Sequence, residues 1–201
     1  MSPSATEGIS RPSAGLEQYF QQLQGRPTLS LLDLSPVSQA NVSFLAGLGH
    51  RLYCEDFLSS LDDFFGGEDD FYQAQENPAR AQEFMNLTFR QMQGPFHGAL
   101  VWDCLQYLSP TMLELTVAEL HRLMEPGSLV LTFFHNDERA KSVPASYYRI
   151  QDYRTLSIQE RGRRTPYQFF TNPFIERVFR DFSSVKMYLT RDHLREIVVK
   201  R

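Results

Sequence analysis

Leu29–Phe57 reads LSLLDLSPVSQANVSFLAGLGHRLYCEDF, and this stretch sets the fold class. The apolar run Leu29–Leu32 has the length of a buried strand and stops at Asp33. Ser35 and Pro36 then supply a helix start, with serine as N-cap and proline at the first helical position. Val42, Leu45 and Leu48 recur at three-residue spacing and predict one apolar helix face, which Gly47 and Gly49 can end. Arg51–Cys54 is short and extended, and Glu55 and Asp56 follow it. A parallel strand–helix–strand unit leaves a crevice at the carboxyl ends of its strands, where small ligands bind. Asp33, Glu55 and Asp56 all fall at that edge.

The same grammar returns downstream. In Phe96–Leu108, FHGALVWDCLQYL, a buried strand over Ala99–Trp102 closes at Asp103. Ser109–Pro110 repeats the serine cap and first-turn proline, and Leu113, Val117, Leu120 and Met124 share a helix face that Pro126–Gly127 ends. Leu129–Phe134 is a further buried strand finishing at His135. Strands alternating with helices predict a mostly parallel sheet with helices on both faces. Between these units, Leu58–Phe65 and Pro78–Gln93 read as helices, the acidic GEDD at 67–70 as a solvated turn, and no third strand is evident. Near the end, Tyr147–Ile150 and Thr155–Gln159 alternate like exposed strands. Asn172–Pro173 opens another helix. Val185–Leu189 and Ile197–Val199 lie too close in sequence for a parallel crossover, so they form an antiparallel hairpin.

Composition narrows the class. The chain has 201 residues, 42% hydrophobic and 22% charged, as expected of one globular domain. Residues 1–14 read as a disordered leader and 15–201 as a single domain, with Leu16, Tyr19, Phe20 and Leu23 docking a first helix. No apolar run reaches the ~20 residues of a membrane span, and the N-terminus lacks the pattern of a secretory signal. Cys54 and Cys104 stand alone and read as free thiols of a reducing, cytoplasmic setting. His50, His97, His121 and His193 show no metal-ligand spacing, so no metal is expected. Walker-type, GxSxG and GxGxxG motifs are absent. Residues 1–138 hold 6 Lys and Arg against 18 Asp and Glu, and residues 139–201 hold 14 against 6. Such halves attract each other within one fold, and without a recognised motif a nucleic-acid partner is not expected.

In this order, LLDLSPVSQ, YCED, ALVWDCLQYL and LHRLMEPGSLVLTFF resemble the successive motifs of the class I S-adenosylmethionine-dependent methyltransferases, over roughly residues 16–201. The resemblance implies a Rossmann-like α/β fold, a mostly parallel twisted sheet with helices on both faces and a C-terminal antiparallel hairpin, here with no evident edge strand after the second. It implies S-adenosylmethionine as cofactor, held by Asp33, Leu34 and Ser35 at the first turn. Glu55, ahead of Asp56, would hold the ribose, and Trp102 and Asp103 would line the methyl-transfer end. Tyr107 would line the pocket of a small-molecule acceptor. Asp103 and His135 are the candidate catalytic groups, the histidine as a base toward an acceptor hydroxyl or amine. Each has a plainer reading: a turn carboxylate, a strand-end charge, a helix cap, a core aromatic, a structural histidine.

The sequence departs from the family at the first turn, where three glycines are usual and Ser35, Val37 and Gln39 stand instead. Glycine admits positive φ and close approach of a ligand, which β-branched Val37 resists, and Pro36 lacks an N–H. Either the turn takes another shape that still admits the cofactor, or the chain is a catalytically inactive scaffold or binding module.

Overall fold

The computed structural model of the chain describes residues 8–67 and 70–201. In chain order its elements begin β1 (Ile9–Pro12), α1 (Ala14–Leu23), β2 (Ser30–Asp33), α2 (Gln39–Gly47), β3 (Arg51–Cys54), α3 (Phe57–Phe65), α4 (Phe71–Glu76) and α5 (Pro78–Phe89). They continue β4 (Phe96–Trp102), a 3-10 turn at Cys104–Tyr107, α6 (Pro110–Leu123), β5 (Met124–His135), β6 (Val143–Asp152) and β7 (Thr155–Arg164). The chain closes with α7 (Asn172–Val178), β8 (Ser184–Leu189) and β9 (Leu194–Lys200).

Helix starts follow local chemistry. Ser13, Ser38, Asp56, Asp70, Asn77, Ser109 and Thr171 each accept a backbone N–H of the first turn through the side chain. Ser109 with Pro110 starts α6 as expected, but α2 is capped by Ser38, three residues beyond the predicted Ser35. Its buried residues are Asn41 and Leu45, with Val42 only half-buried. A polar residue therefore occupies the helix face that apolar spacing assigned to Val42. Helix α6 also stops earlier than Pro126–Gly127, because Met124 already pairs with Phe96 and leads into β5.

The main sheet has the order β3-β2-β4-β5-β9-β8. Pairs β2/β3, β2/β4 and β4/β5 are parallel, while β9 runs antiparallel to both β5 and β8. The chain between β3 and β4 is helical, so β3 is the sheet's edge and no third strand lies beside it among the described residues. Alternation sends Leu32, Ala99, Val101 and Val130 into the apolar layer under α3, α5 and α6, and Leu31, Leu100, Trp102 and Leu131 into the layer under α1 and α2. Gly98 permits the second layer to close. A Cβ there would lie 2.3 Å from the Tyr19 hydroxyl oxygen and 2.9 Å from Leu31 Cδ2. Gly98→Ala is expected to cost about 1–3 kcal/mol through overpacking, read as a lower urea midpoint. An unchanged midpoint would mean Tyr19 yields freely.

The N-terminal segment and the late hairpin depart from expectation. Residues 1–7 of the predicted leader lie outside the described residues, as do Glu68 and Asp69 of the acidic turn. Ile9–Pro12, however, pairs antiparallel with Ile158–Thr155, giving a second sheet of order β1-β7-β6. The strands read as exposed are half-buried. Tyr148, Ile150 and Leu156 enter the same apolar layer as Leu16, Phe20, Leu100 and Phe133. Arg11 secures this sheet to β9 by pairing with the fully buried Glu196, which also accepts from the Ser13 hydroxyl at 2.9 Å and the Gly15 N–H at 2.7 Å.

Candidate functional site

Strand β2 lies between β3 and β4, so the chain reverses its direction of travel across the sheet at β2. Asp33, Cys54 and Leu100 stand level at the carboxyl ends of these three strands. Such a switch point leaves a crevice above the strand ends; Asp33 ends β2, Glu55 and Asp56 follow β3, Asp103 follows β4 and His135 ends β5.

Asp33 is 1% exposed. One carboxylate oxygen accepts from the Ser35 hydroxyl at 2.7 Å and the Trp102 indole N–H at 2.7 Å, and the other from Asn41 Nδ2 at 3.3 Å. Burial raises its pKa despite these three bonds. Ser35 thus serves Asp33 and not the helix. The N–H of buried Leu34 donates to Leu100 O at 2.9 Å, and its carbonyl accepts from Cys104 Sγ at 3.1 Å. None of Ser35–Gln39 has positive φ, and Val37 is 75% exposed. The glycine-poor turn takes a shape that needs no glycine, with Val37 out in solvent.

Glu55 and Asp56 part company. Glu55 is half-buried, and its carboxylate accepts from the Ser60 hydroxyl at 2.9 Å. It borders a pocket of about 320 Å³ lined also by Asp63, Phe64, Phe84, Leu87 and Thr88. Asp56 caps α3 and lies 3.8 Å from the Arg161 guanidinium.

Strand β4 ends in an unusual backbone. Trp102 has φ +53°, a left-handed conformation that is a genuine outlier for a bulky side chain. Such strain collects at functional sites. Asp103 follows, 1% exposed, and accepts from the Tyr107 hydroxyl at 3.0 Å. Burial pushes its pKa up to about 6, against the pull of Tyr107 and the Arg161 charge. The Tyr107 hydroxyl also lies 3.0 Å from the Pro144 carbonyl, so it belongs to the hairpin contact as well. His135 ends β5, where its backbone N–H donates to Gln106 Oε1 at 2.9 Å. Its Nε2 is buried without a partner, and burial lowers its pKa to about 4. At neutral pH the imidazole is neutral.

Three contributors were missed by sequence reading. Asn41 donates both to Asp33 and to Tyr148 O at 3.0 Å, and its Oδ1 accepts from Ile150 N at 2.8 Å. The Tyr148 ring lies parallel to Trp102, with centroids 5.2 Å apart and planes 2° apart. Arg161 reaches in from β7 and lies over the Tyr147 ring at 5.3 Å. Asparagine in phase with Leu45 on the buried face of α2 is a legible signal for the first. The other two depend on where the hairpin packs.

Ion pairs of both senses join the first and last thirds of the chain. Arg164 holds Asp62, and Arg11 holds Asp192 and Glu196. Both cysteines are free, and no group of three or more His, Cys, Asp or Glu side chains forms a metal site among the described residues. None of the described helices is long and apolar enough to cross a membrane.

A parallel β3-β2-β4-β5 sheet closed by antiparallel β9 and then β8 is the class I methyltransferase arrangement, with no third strand among the described residues. The fold is that of these enzymes. Among solved structures, the chain is similar to a 1,6-didemethyltoxoflavin-N1-methyltransferase of Burkholderia thailandensis, solved with S-adenosylhomocysteine bound. That match has TM-score 0.49 and 16% identity, covering 94% of this chain and 78% of the other. A glycopeptide N-methyltransferase gives TM-score 0.48 and 13% identity, covering 94% and 95%. A methyltransferase from Methanosarcina mazei gives 0.47 and 15%, covering 90% and 96%. No protein-family profile matches the chain, and no curated protein is significantly similar in sequence.

Proposed function

We propose that this chain is an S-adenosylmethionine-dependent methyltransferase acting on a small-molecule acceptor. The observation that carries the reading is Glu55. It is half-buried, takes one hydroxyl bond from Ser60, which leaves acceptor capacity to spare, and borders a pocket whose walls include Phe64 and Phe84. A carboxylate so placed suits a ribose diol, because hydrogen bonds to an ionised acceptor are the strong ones. Asp33 and Ser35 would stiffen the turn beside it, and Trp102 with Asp103 would face the methionine end. When bound, S-adenosylmethionine supplies an electrophilic methyl carbon, so the protein's task is in-line positioning of an acceptor. Asp103, with a pKa near 6, is ionised for the most part at neutral pH and would orient an acceptor hydroxyl or amine. His135, neutral above about pH 4, would be a weak base.

Glu55→Gln tests this reading. It is expected to weaken S-adenosylhomocysteine binding by roughly 10-fold or more, the worth of a hydrogen bond to a charged group. Without ligand, its melting temperature should match the wild type. An equal loss of stability without ligand would mark Glu55 as a structural carboxylate.

A second reading, an inactive scaffold of the same fold, is favoured by one specific observation. Asp33 and Trp102 are buried and satisfied within the chain. Under that reading neither S-adenosylmethionine nor S-adenosylhomocysteine binds, and partners are sought among proteins.

A further inference from the structure

We propose that the cavity between α3 and the β6–β7 hairpin is an oxyanion site, which takes a carboxylate or phosphate group of a small molecule through Arg161 and Arg163. The cavity holds about 480 Å³ and is lined by Ser59 and Asp62 of α3, Ala145 of β6 and the run Arg161–Arg164 of β7. That volume suits a small ligand. Three guanidinium groups meet one carboxylate on its walls. The backbone sets this up. Ala145 stands opposite Gly162 and Ser146 opposite Glu160, so Arg161 is the extra residue of a β-bulge. A bulge bends its strand and re-aims the side chain it carries. The Arg161 side chain is only 16% exposed, although Gly162 and Arg163 beside it are exposed.

Hydrogen bonding separates the three arginines. Arg164 is committed to Asp62, which it holds with both terminal nitrogens. Arg163 donates from Nε to Ser142 Oγ at 3.0 Å and from Nη2 to Ser142 O at 2.6 Å, which leaves Nη1, 3.7 Å from Glu160. Arg161 makes no hydrogen bond among the described residues. Its ion pair with Asp56 spans 3.8 Å, and it lies over the Tyr147 ring at 5.3 Å. Asp56 does not close that gap, because its two oxygens accept from the Ser59 N–H at 3.2 Å and the Ser59 hydroxyl at 2.7 Å. Asp103 feels the Arg161 charge but takes its hydrogen bond from Tyr107. A guanidinium carries five N–H donors in a planar fork that matches a carboxylate or a phosphate. Arg161 therefore keeps its donors for a ligand, and Arg163 adds charge from the same wall.

Arg161 also links the cavity to the strand ends. Its partner Asp56 follows β3, and its charge reaches Asp103 after β4. Under the proposed function the group held here is the acid group of the acceptor. That assignment rests on the cofactor reading, and the site itself does not.

Calorimetric titrations with inorganic phosphate and with acetate, at constant ionic strength, test the site. They use wild type, Arg161→Gln, Arg163→Gln and, as a control for overall charge, Arg122→Gln on exposed Arg122 of α6. Circular dichroism checks the folding of each. Wild type is expected to bind at least one anion with a Kd on the order of 1 mM, and the tighter of the two identifies the group. Arg161→Gln should bind it about 10-fold more weakly or worse, the loss of a charge-assisted hydrogen bond. Arg163→Gln should lose about 3-fold, and it carries the test if Arg161→Gln fails to fold. Arg122→Gln should match wild type. No binding of either anion to wild type, undiminished binding in both cavity variants, or an equal loss in Arg122→Gln overturns the site and leaves the cofactor reading standing. S-adenosylhomocysteine titrated in saturating phosphate tests the acceptor assignment, and its affinity should stay within about 3-fold of the value without phosphate. Competition between the two would put the anion in the cofactor's own place and overturn the assignment. No binding of S-adenosylhomocysteine, with phosphate still bound, overturns the cofactor reading and the assignment while upholding the site.

Discussion

Replacing Arg11 with methionine is expected to destabilise the protein by about 3–5 kcal/mol, the cost of leaving one partner of a buried ion pair uncompensated. Glu196 is 0% exposed and Arg11 is its cationic partner, while the Ser13 hydroxyl and Gly15 N–H supply neutral donors. The four groups join β1, the start of α1 and β9, so the second sheet loses its anchor with the charge. Burial already raises the Glu196 pKa. Protonation relieves the stranded carboxylate, and the loss should therefore be larger at pH 8 than at pH 5. Glu196→Gln in the Arg11→Met background should recover much of it. Urea midpoints of the two single variants and the double variant measure the coupling. Additive losses would show that the pair does not act as a unit.

The second large effect is a pair of opposed pH dependences from two buried groups at the ends of β4 and β5. Asp103 is raised to about 6 from an ordinary value near 4, so the folded state holds its proton more tightly. Its contribution is present below about pH 4 and is lost as pH rises through about 6, to the extent of about 3 kcal/mol. His135 is lowered to about 4 from 6.5 by burial. Here the unfolded chain binds the proton more tightly, so stability is lost as pH falls from about 6.5 to about 4, again by about 3 kcal/mol. In the wild type the two nearly cancel.

Removing one exposes the other. Between pH 4 and 7, Asp103→Asn should gain about 3 kcal/mol more stability than wild type does. His135→Gln should lose a similar amount over the same interval. Carboxylates elsewhere titrate in all three proteins and drop out of the differences. Parallel stability–pH curves for the three proteins would contradict the burial assigned to both groups.

The sequence disclosed the parts whose signals are local. Strands β2, β4 and β5 are short apolar runs with a polar stop, and Ser109–Pro110 sets the start of α6 without help from the rest of the chain. The closing hairpin was legible because two strands separated by a few residues can only return antiparallel. That no third strand lies beside β3 among the described residues was legible in the helical spacing of the apolar residues between Phe57 and Gly94.

What escaped reading is set by contacts distant in sequence. The phase of α2 was misjudged because Asn41, polar yet 0% exposed, takes the buried position that apolar spacing gave to Val42. Its partners are Asp33, eight residues away, and Tyr148 and Ile150, more than a hundred residues away. Ser35 was assigned to a helix it does not cap because its hydroxyl is drawn to Asp33. The strand at Ile9–Pro12 exists only through pairing with β7. Its four residues carry no signal of their own. Tyr148 could be read as a strand residue, but Arg161–Arg164, which reads as a basic turn, continues β7, and the contacts of Tyr148 and Arg161 follow from how that second sheet packs on the first.

The proposed function stands on S-adenosylmethionine binding at the strand ends that carry Asp33 and Glu55. Titration calorimetry of the wild-type protein with S-adenosylmethionine at two temperatures tests it most directly. A saturable one-site isotherm with a Kd on the order of 10–100 μM, accompanied by a rise in melting temperature, is expected. No heat at either temperature, with no thermal shift at millimolar ligand, would contradict it and leave the fold as a scaffold.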